Sequence, residues 1–93
     1  MGISVLSTKR PRLAQQARRE WDPVRERHVL LAPEGVLVLN QTGAAILELC
    51  DGRRTVAEIV EELRGRYDRV AGEEVREFLS RLVARRLVEL ADG

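Results

Sequence analysis

The chain has 93 residues, 44% of them hydrophobic and 33% charged, with a net charge of +1. That suits one domain with a core and excludes wholesale disorder. One Cys and one His exclude an internal disulfide and a zinc site of three or four nitrogen and sulfur ligands. A chain this short buries roughly two thirds of its unfolded surface, so a deep substrate pocket would compete with the core, and binding is favoured over catalysis.

Residues 1–16 read as a flexible or partner-packed N-terminal arm. Lys9-Arg10-Pro11-Arg12 is polar, contains a proline and sustains no period. The opening Met-Gly-Ile-Ser-Val-Leu is too short an apolar run for a signal peptide. Leu6 stands where myristoylation wants Ser or Thr. No stretch approaches the ~20 apolar residues of a membrane span. With a single unpaired Cys, the expected location is the cytoplasm, without a membrane partner.

From Ala17 to Leu39 the runs are strand-like. Arg18–Asp22 is the first, ended by Pro23, and Arg27–Leu31 is the second. Ala32-Pro33-Glu34-Gly35 is a turn, because Pro presets φ and Gly accepts the tight exit. Val36–Leu39 is the third strand, apolar on both faces. Together the three predict an antiparallel meander whose edges are the first and third strands.

From Asn40 the period becomes helical. Asn40 caps a helix over roughly Gln41–Cys50, which Asp51-Gly52 ends. Thr55-Val56-Ala57-Glu58 is a capping box, and Val56, Ile59, Val60, Leu63 and Tyr67 form the apolar face of the helix that follows. Tyr67–Ala71 is a connector. A third helix starts near Gly72, with Glu73 and Glu74 at the positive end of its dipole and Val75, Phe78, Leu79, Leu82 and Val83 inward. Leu87–Leu90 is an extended tail, expected to pack on the sheet. The expected fold is α+β: a three-stranded antiparallel meander followed by three helices, winged-helix-like. Its domain spans residues 17–90.

A search for catalytic chemistry finds none. Cys50 reads as a small buried hydrophobe, with no Lys or His nearby in sequence to lower its pKa. His28 alternates within a strand and has no nucleophile or carboxylate constellation. The serines sit in no nucleophile motif, and no Gly-rich phosphate loop is present. Neither enzyme activity nor a cofactor is expected. The alternative of a winged-helix DNA-binding regulator would place the third helix in a groove. Its N-terminal residues there are Glu73 and Glu74, with Glu77 one turn on, and carboxylates repel phosphates. Residues 1–28 carry seven basic and three acidic side chains, and residues 29–93 carry nine and twelve. Such a basic end on a mildly acidic body is not the footprint of a nucleic-acid-binding face.

An interaction module remains. The third strand is an edge of four consecutive apolar residues without inward charge, Pro or bulge. Such an edge accepts an added strand, unless the N-terminal arm or a second copy covers it in a homodimer.

Arg27-His28-Val29-Leu30-Leu31-Ala32-Pro33-Glu34-Gly35-Val36, Leu39-Asn40, Ile46–Gly52, Thr55–Val60 and Phe78-Leu79 together closely resemble the PqqD family of pyrroloquinoline quinone (PQQ) biosynthesis. Trp21 also sits where such proteins carry a tryptophan. Arg86-Leu87 departs from the pattern, which often has Gly followed by an aromatic residue. The resemblance implies a peptide chaperone, a recognition element for ribosomally made, modified peptides. It would bind the precursor peptide PqqA and present it to the radical S-adenosylmethionine enzyme PqqE. The peptide is then expected to pair with Val36, Leu37, Val38 and Leu39. Its side chains would drop toward Arg76, Leu79 and Val83, and Arg76 would steer acidic stretches of the precursor. The loop Asp51–Arg54 and the first helix are candidates for the enzyme-facing surface.

Overall fold

The computed structural model describes residues 5–67 and 72–92. A 3-10 turn over Val5–Thr8 leads into β1 (Arg10–Leu13), β2 (Arg18–Asp22), β3 (Arg27–Ala32) and β4 (Gly35–Val38). Then come α1 (Gln41–Glu48), α2 (Val56–Arg66), α3 (Gly72–Ala84) and β5 (Val88–Ala91). Strands β2, β3 and β4 form an antiparallel sheet in that order. The α+β meander with three helices is therefore present. Of the connector expected over Tyr67–Ala71, residues 68–71 lie outside the described residues.

Local chemistry explains the elements. Ala32 pairs with Gly35 across the two-residue turn Pro33-Glu34. Gly35 leaves that turn at φ 152°, a conformation that L side chains rarely adopt. Asn40 caps α1 by accepting from the Gly43 N–H at 2.7 Å. The capping box of α2 is complete, the Thr55 hydroxyl accepting from the Glu58 N–H at 3.1 Å and the Glu58 carboxylate from the Thr55 N–H at 2.8 Å. Helix α1 ends earlier than its apolar run suggests, at Glu48. Gly52 is left-handed, with φ 79°, but it does not terminate α1. Its N–H donates instead to the Pro11 carbonyl at 2.9 Å, and the Arg12 side chain passes 3.6 Å from where a Cβ would stand. A Cβ would fit there at ordinary contact distance, so it is the left-handed backbone of this turn against β1 that the glycine serves.

Two expectations change at the termini. The segment read as an arm contains β1, which pairs antiparallel with β5, Pro11 opposite Leu90 and Leu13 opposite Val88. The tail therefore does not join the three-stranded sheet; with β1 it makes a separate two-stranded ribbon. On its other side β1 meets the loop after α1, through a bridge between Arg12 and Asp51 and the Val56 N–H donating to the Lys9 carbonyl. Only Pro11 and Leu13 carry apolar side chains within β1, too few to mark a strand. The ribbon exists because β5 and the 51–54 loop offer main-chain groups on both sides.

Arg86 explains the end of α3. It is left-handed, with φ 63°. Its N–H donates to the Val83 carbonyl and the Leu87 N–H to the Leu82 carbonyl, both at 2.9 Å. This is the Schellman pattern, with the buried pair Leu82 and Leu87 as its apolar contact. The residue noted as a departure from a common glycine thus sits where glycine is conformationally free.

The core lies between the sheet and the helices. Leu30, Ile46, Val56, Ile59, Leu63, Val75, Leu79 and Val88 are fully buried. Each such side chain contributes about 1.5–3 kcal/mol from burial. This core holds α3 at a set distance from β4, which creates the site described next.

Candidate functional site

The free edge of β4 follows from the register of its pairing with β3. Val29 lies opposite Val38, Leu30 opposite Leu37 and Leu31 opposite Val36. The Leu39 N–H donates to the His28 carbonyl at 2.9 Å. Hydrogen-bonded and non-bonded pairs alternate along an antiparallel ladder. Gly35, Leu37 and Leu39 therefore aim their main-chain groups at β3. Val36 and Val38 aim theirs outward, where no strand among the described residues pairs with them. These two residues are 53% and 44% exposed. Leu37 is half-buried against the core, and Leu39 is buried just beyond the strand.

Beside this edge runs a groove of about 370 Å³ between β4 and α3. It is lined by Leu37, Val38, Leu39 and Asn40 on one side and by Phe78, Arg81, Leu82 and Arg85 on the other. The four α3-side residues are spaced i, i+3, i+4 and i+7, which places them on one helix face. Phe78 is held at one end by close packing on α1, its ring 3.2 Å from where a Gly43 Cβ would stand. Arg85 lies at the other end, beyond the last residue of α3. Its N–H still donates to the Arg81 carbonyl at 3.2 Å, so the helical path continues to it.

Of the residues singled out from sequence, Val36, Leu37, Val38 and Leu39 lie together at this edge. Arg76, Leu79 and Val83 do not line the groove. Leu79 is 0% exposed and belongs to the core. Arg76 is on the opposite flank of α3: its guanidinium reaches back over Gly72, 3.1 Å from where a Cβ would stand, beside Val60 and Arg64. Val83, seven residues on, shares that flank and packs half-buried against the core. The residues on the α3 side that face the groove are Phe78, Arg81, Leu82 and Arg85. The signal for them was available in the helical wheel, but the wheel has two flanks, and choosing between them requires knowing where β4 lies.

A second cleft, about 410 Å³, opens at the far end of the groove and shares Leu39 and Asn40 with it. Trp21, Arg27 and His28 also line it. Trp21 and His28 are cross-strand partners with ring centroids 5.0 Å apart, edge to face. Trp21 is 53% exposed. The His28 Nδ1 is buried, with no hydrogen-bond partner among the described residues. Cys50 is buried, and its Sγ lies 3.3 Å from the Ile46 carbonyl oxygen. Burial, with a smaller contribution from the Asp51 carboxylate, pushes its thiol pKa up to about 12. A thiol so protonated is a packing group. Among the described residues no cluster of three or more His, Cys, Asp or Glu suits a metal ion. No described helix is long and apolar enough to cross a membrane.

Comparison with known proteins shows the family and the fold. A protein of Rhodopseudomonas palustris called PqqA binding protein is 43% identical over 90 residues, 97% of this chain and 83% of its own. A PqqA binding protein of Methylococcus capsulatus is 46% identical over 68 residues, 72% of this chain and 73% of its own. The solution NMR structure of the PqqD truncation of Methylobacterium extorquens PqqCD is described as a functional, stand-alone recognition element for ribosomally synthesized and post-translationally modified peptides (RiPPs). It superposes with a TM-score of 0.67 and 37% identity, covering 85% of this chain and 87% of that one. The heterocyclase TruD superposes with a TM-score of 0.65 and 27% identity, over 89% of this chain and 12% of its own. The sequence pattern of the family described as coenzyme PQQ synthesis protein D matches residues 27–88, more than half of the chain. With the meander, the helices and the β4 edge in place, the chain belongs to the PqqD family.

Proposed function

We propose that the protein is a peptide chaperone of PQQ biosynthesis. It takes the precursor peptide PqqA as an added strand on β4 and presents it to the radical S-adenosylmethionine enzyme PqqE. The observation that carries this reading is the main chain of Val36 and Val38, unpaired among the described residues, beside an open groove. An incoming strand gains main-chain hydrogen bonds there, each worth about 1 kcal/mol net. Alternate side chains of the peptide then enter the groove. The relatives' binding of PqqA supports the choice of ligand. Membership in a PQQ synthesis family supports the pathway.

A titration of PqqA into the protein tests it, read by calorimetry or by the fluorescence of Trp21, the only tryptophan. Saturable binding at a one-to-one ratio is expected, and loss of that binding in Val38→Pro, whose missing N–H would have faced the peptide. A folded Val38→Pro that binds with unchanged affinity rules out strand addition at this edge. Presentation to the enzyme is tested by mixing PqqE with the protein, with and without peptide. Sedimentation is expected to show a ternary complex.

A further inference from the structure

The groove is chemically graded. At its Asn40 end the walls are apolar, made by Leu39 and Phe78. Toward the β3–β4 turn, the α3 side carries Arg81 and Arg85. Among the described residues neither guanidinium takes part in an ion pair. Glu34 shares a shallow hollow with Arg85 and Arg86, yet no ion pair joins them among the described residues. Both arginines are exposed, so neither is held by the core.

Their spacing has a physical meaning. Two helical positions four apart are separated by about 6 Å along the axis. Two residues on the same face of an extended strand are separated by about 6.7 Å. Arg81 and Arg85 therefore match consecutive same-face side chains of a strand laid alongside β4. A guanidinium's strongest partner at such range is a carboxylate.

We propose that Arg81 and Arg85 are specificity-determining residues that read two carboxylates at positions i and i+2 of the bound peptide. This assignment rests on strand addition at β4. It sets the register: the acidic pair lies toward the β3–β4 turn, and a bulky apolar side chain of the same peptide lies toward Phe78.

The test titrates PqqA into Arg81→Gln, Arg85→Gln, their double variant and, as a control on the other flank, Arg76→Gln. Each groove variant is expected to bind about fivefold more weakly, the loss of one partly exposed ion pair. The double variant is expected to lose most of the salt dependence of binding. Arg76→Gln is expected to bind as the unaltered protein does. PqqA peptides in which each i, i+2 pair of carboxylates is replaced by Gln identify the partner pair. That peptide is expected to bind the double arginine variant no worse than PqqA does. Unchanged binding in the double variant, with binding lost in Val38→Pro, overturns the arginine assignment and leaves strand addition standing. Unchanged binding in Val38→Pro overturns strand addition, and the assignment with it.

Discussion

Strands β1 and β4 are the same length, four residues, and the chain treats them in opposite ways. β1 is bonded on both sides, by β5 and by the loop after α1. Ion pairs Arg12–Glu89, at 3.1 Å, and Lys9–Asp92 brace its exposed flank. Among the described residues β4 is bonded on one side only, and its outer residues are valines. An open apolar edge is an aggregation hazard unless it has a use. The sheet's other edge shows what a defended one looks like: β2 reads Arg-Arg-Glu-Trp-Asp, with Arg18 paired to Glu20. The contrast teaches that β4 leaves an apolar edge open where the open edge of β2 is mostly charged, and that β1 serves stability.

Removing β1 is the harshest way to break this division of labour. A fragment of residues 14–93 loses the buried Pro11, the contact of Leu13 and the main-chain bonds on both sides of the strand. The expected loss is about 3–5 kcal/mol of unfolding free energy, checked by urea denaturation. The surviving folded fraction is expected still to bind PqqA, since β4 is untouched.

Val38→Pro breaks the other side. Its N–H points away from β3, so the expected stability change is under about 1 kcal/mol, while peptide affinity falls at least about tenfold. The matching change on the defended edge is Arg19→Pro, where alternation also aims the N–H outward. It is expected to leave affinity unchanged. Equal losses in the two variants would show that the edges are not distinguished.

Arg86→Gly sharpens the comparison through the ribbon. Arg86 holds a left-handed conformation just before β5. Relieving it is expected to raise stability by about 1 kcal/mol in thermal or urea unfolding, with no effect on peptide binding.

The smallest effect concerns pH. The Asp51 carboxylate accepts from the Arg53 and Arg54 N–H groups and pairs with the Arg54 guanidinium. The Arg53 hydrogen bond is the largest cause holding its pKa below the ordinary 3.8. A depressed folded-state pKa contributes stability above the unfolded value and loses it as pH falls through the folded one. The protection of amides in the 51–54 loop and in β1, taken relative to their intrinsic exchange rates, is therefore expected to fall below about pH 4, and that of β4 is expected not to respond.

Much of this was legible in the chain. Asn40, the Thr55–Glu58 box and the Pro33-Glu34 turn are local devices, each acting within four residues, and they stand where they were expected. The boundaries of β2 also match, because Pro23 stops it. The candidate site was half legible: Val36–Leu39 is an apolar run wherever it packs, so it could be read as an edge. Its opposite wall could not. Helix α3 carries arginines on both flanks, Arg76 on one and Arg81 and Arg85 on the other.

The sequence by itself determined the elements and their order, because caps, turns and periodicity are set by neighbours along the chain. The comparatively open β4 edge was determined there too, by the absence of charge and proline. Tertiary structure alone decided that residues 10–13 form a strand, since their partners Val88–Ala91 lie at the far end of the chain. It alone decided which flank of α3 faces β4, since that depends on how Leu79 and Leu82 seat in a core assembled from every helix. Contacts distant in sequence leave no local pattern, and for that reason the arginines at the groove came from the fold and not from the chain.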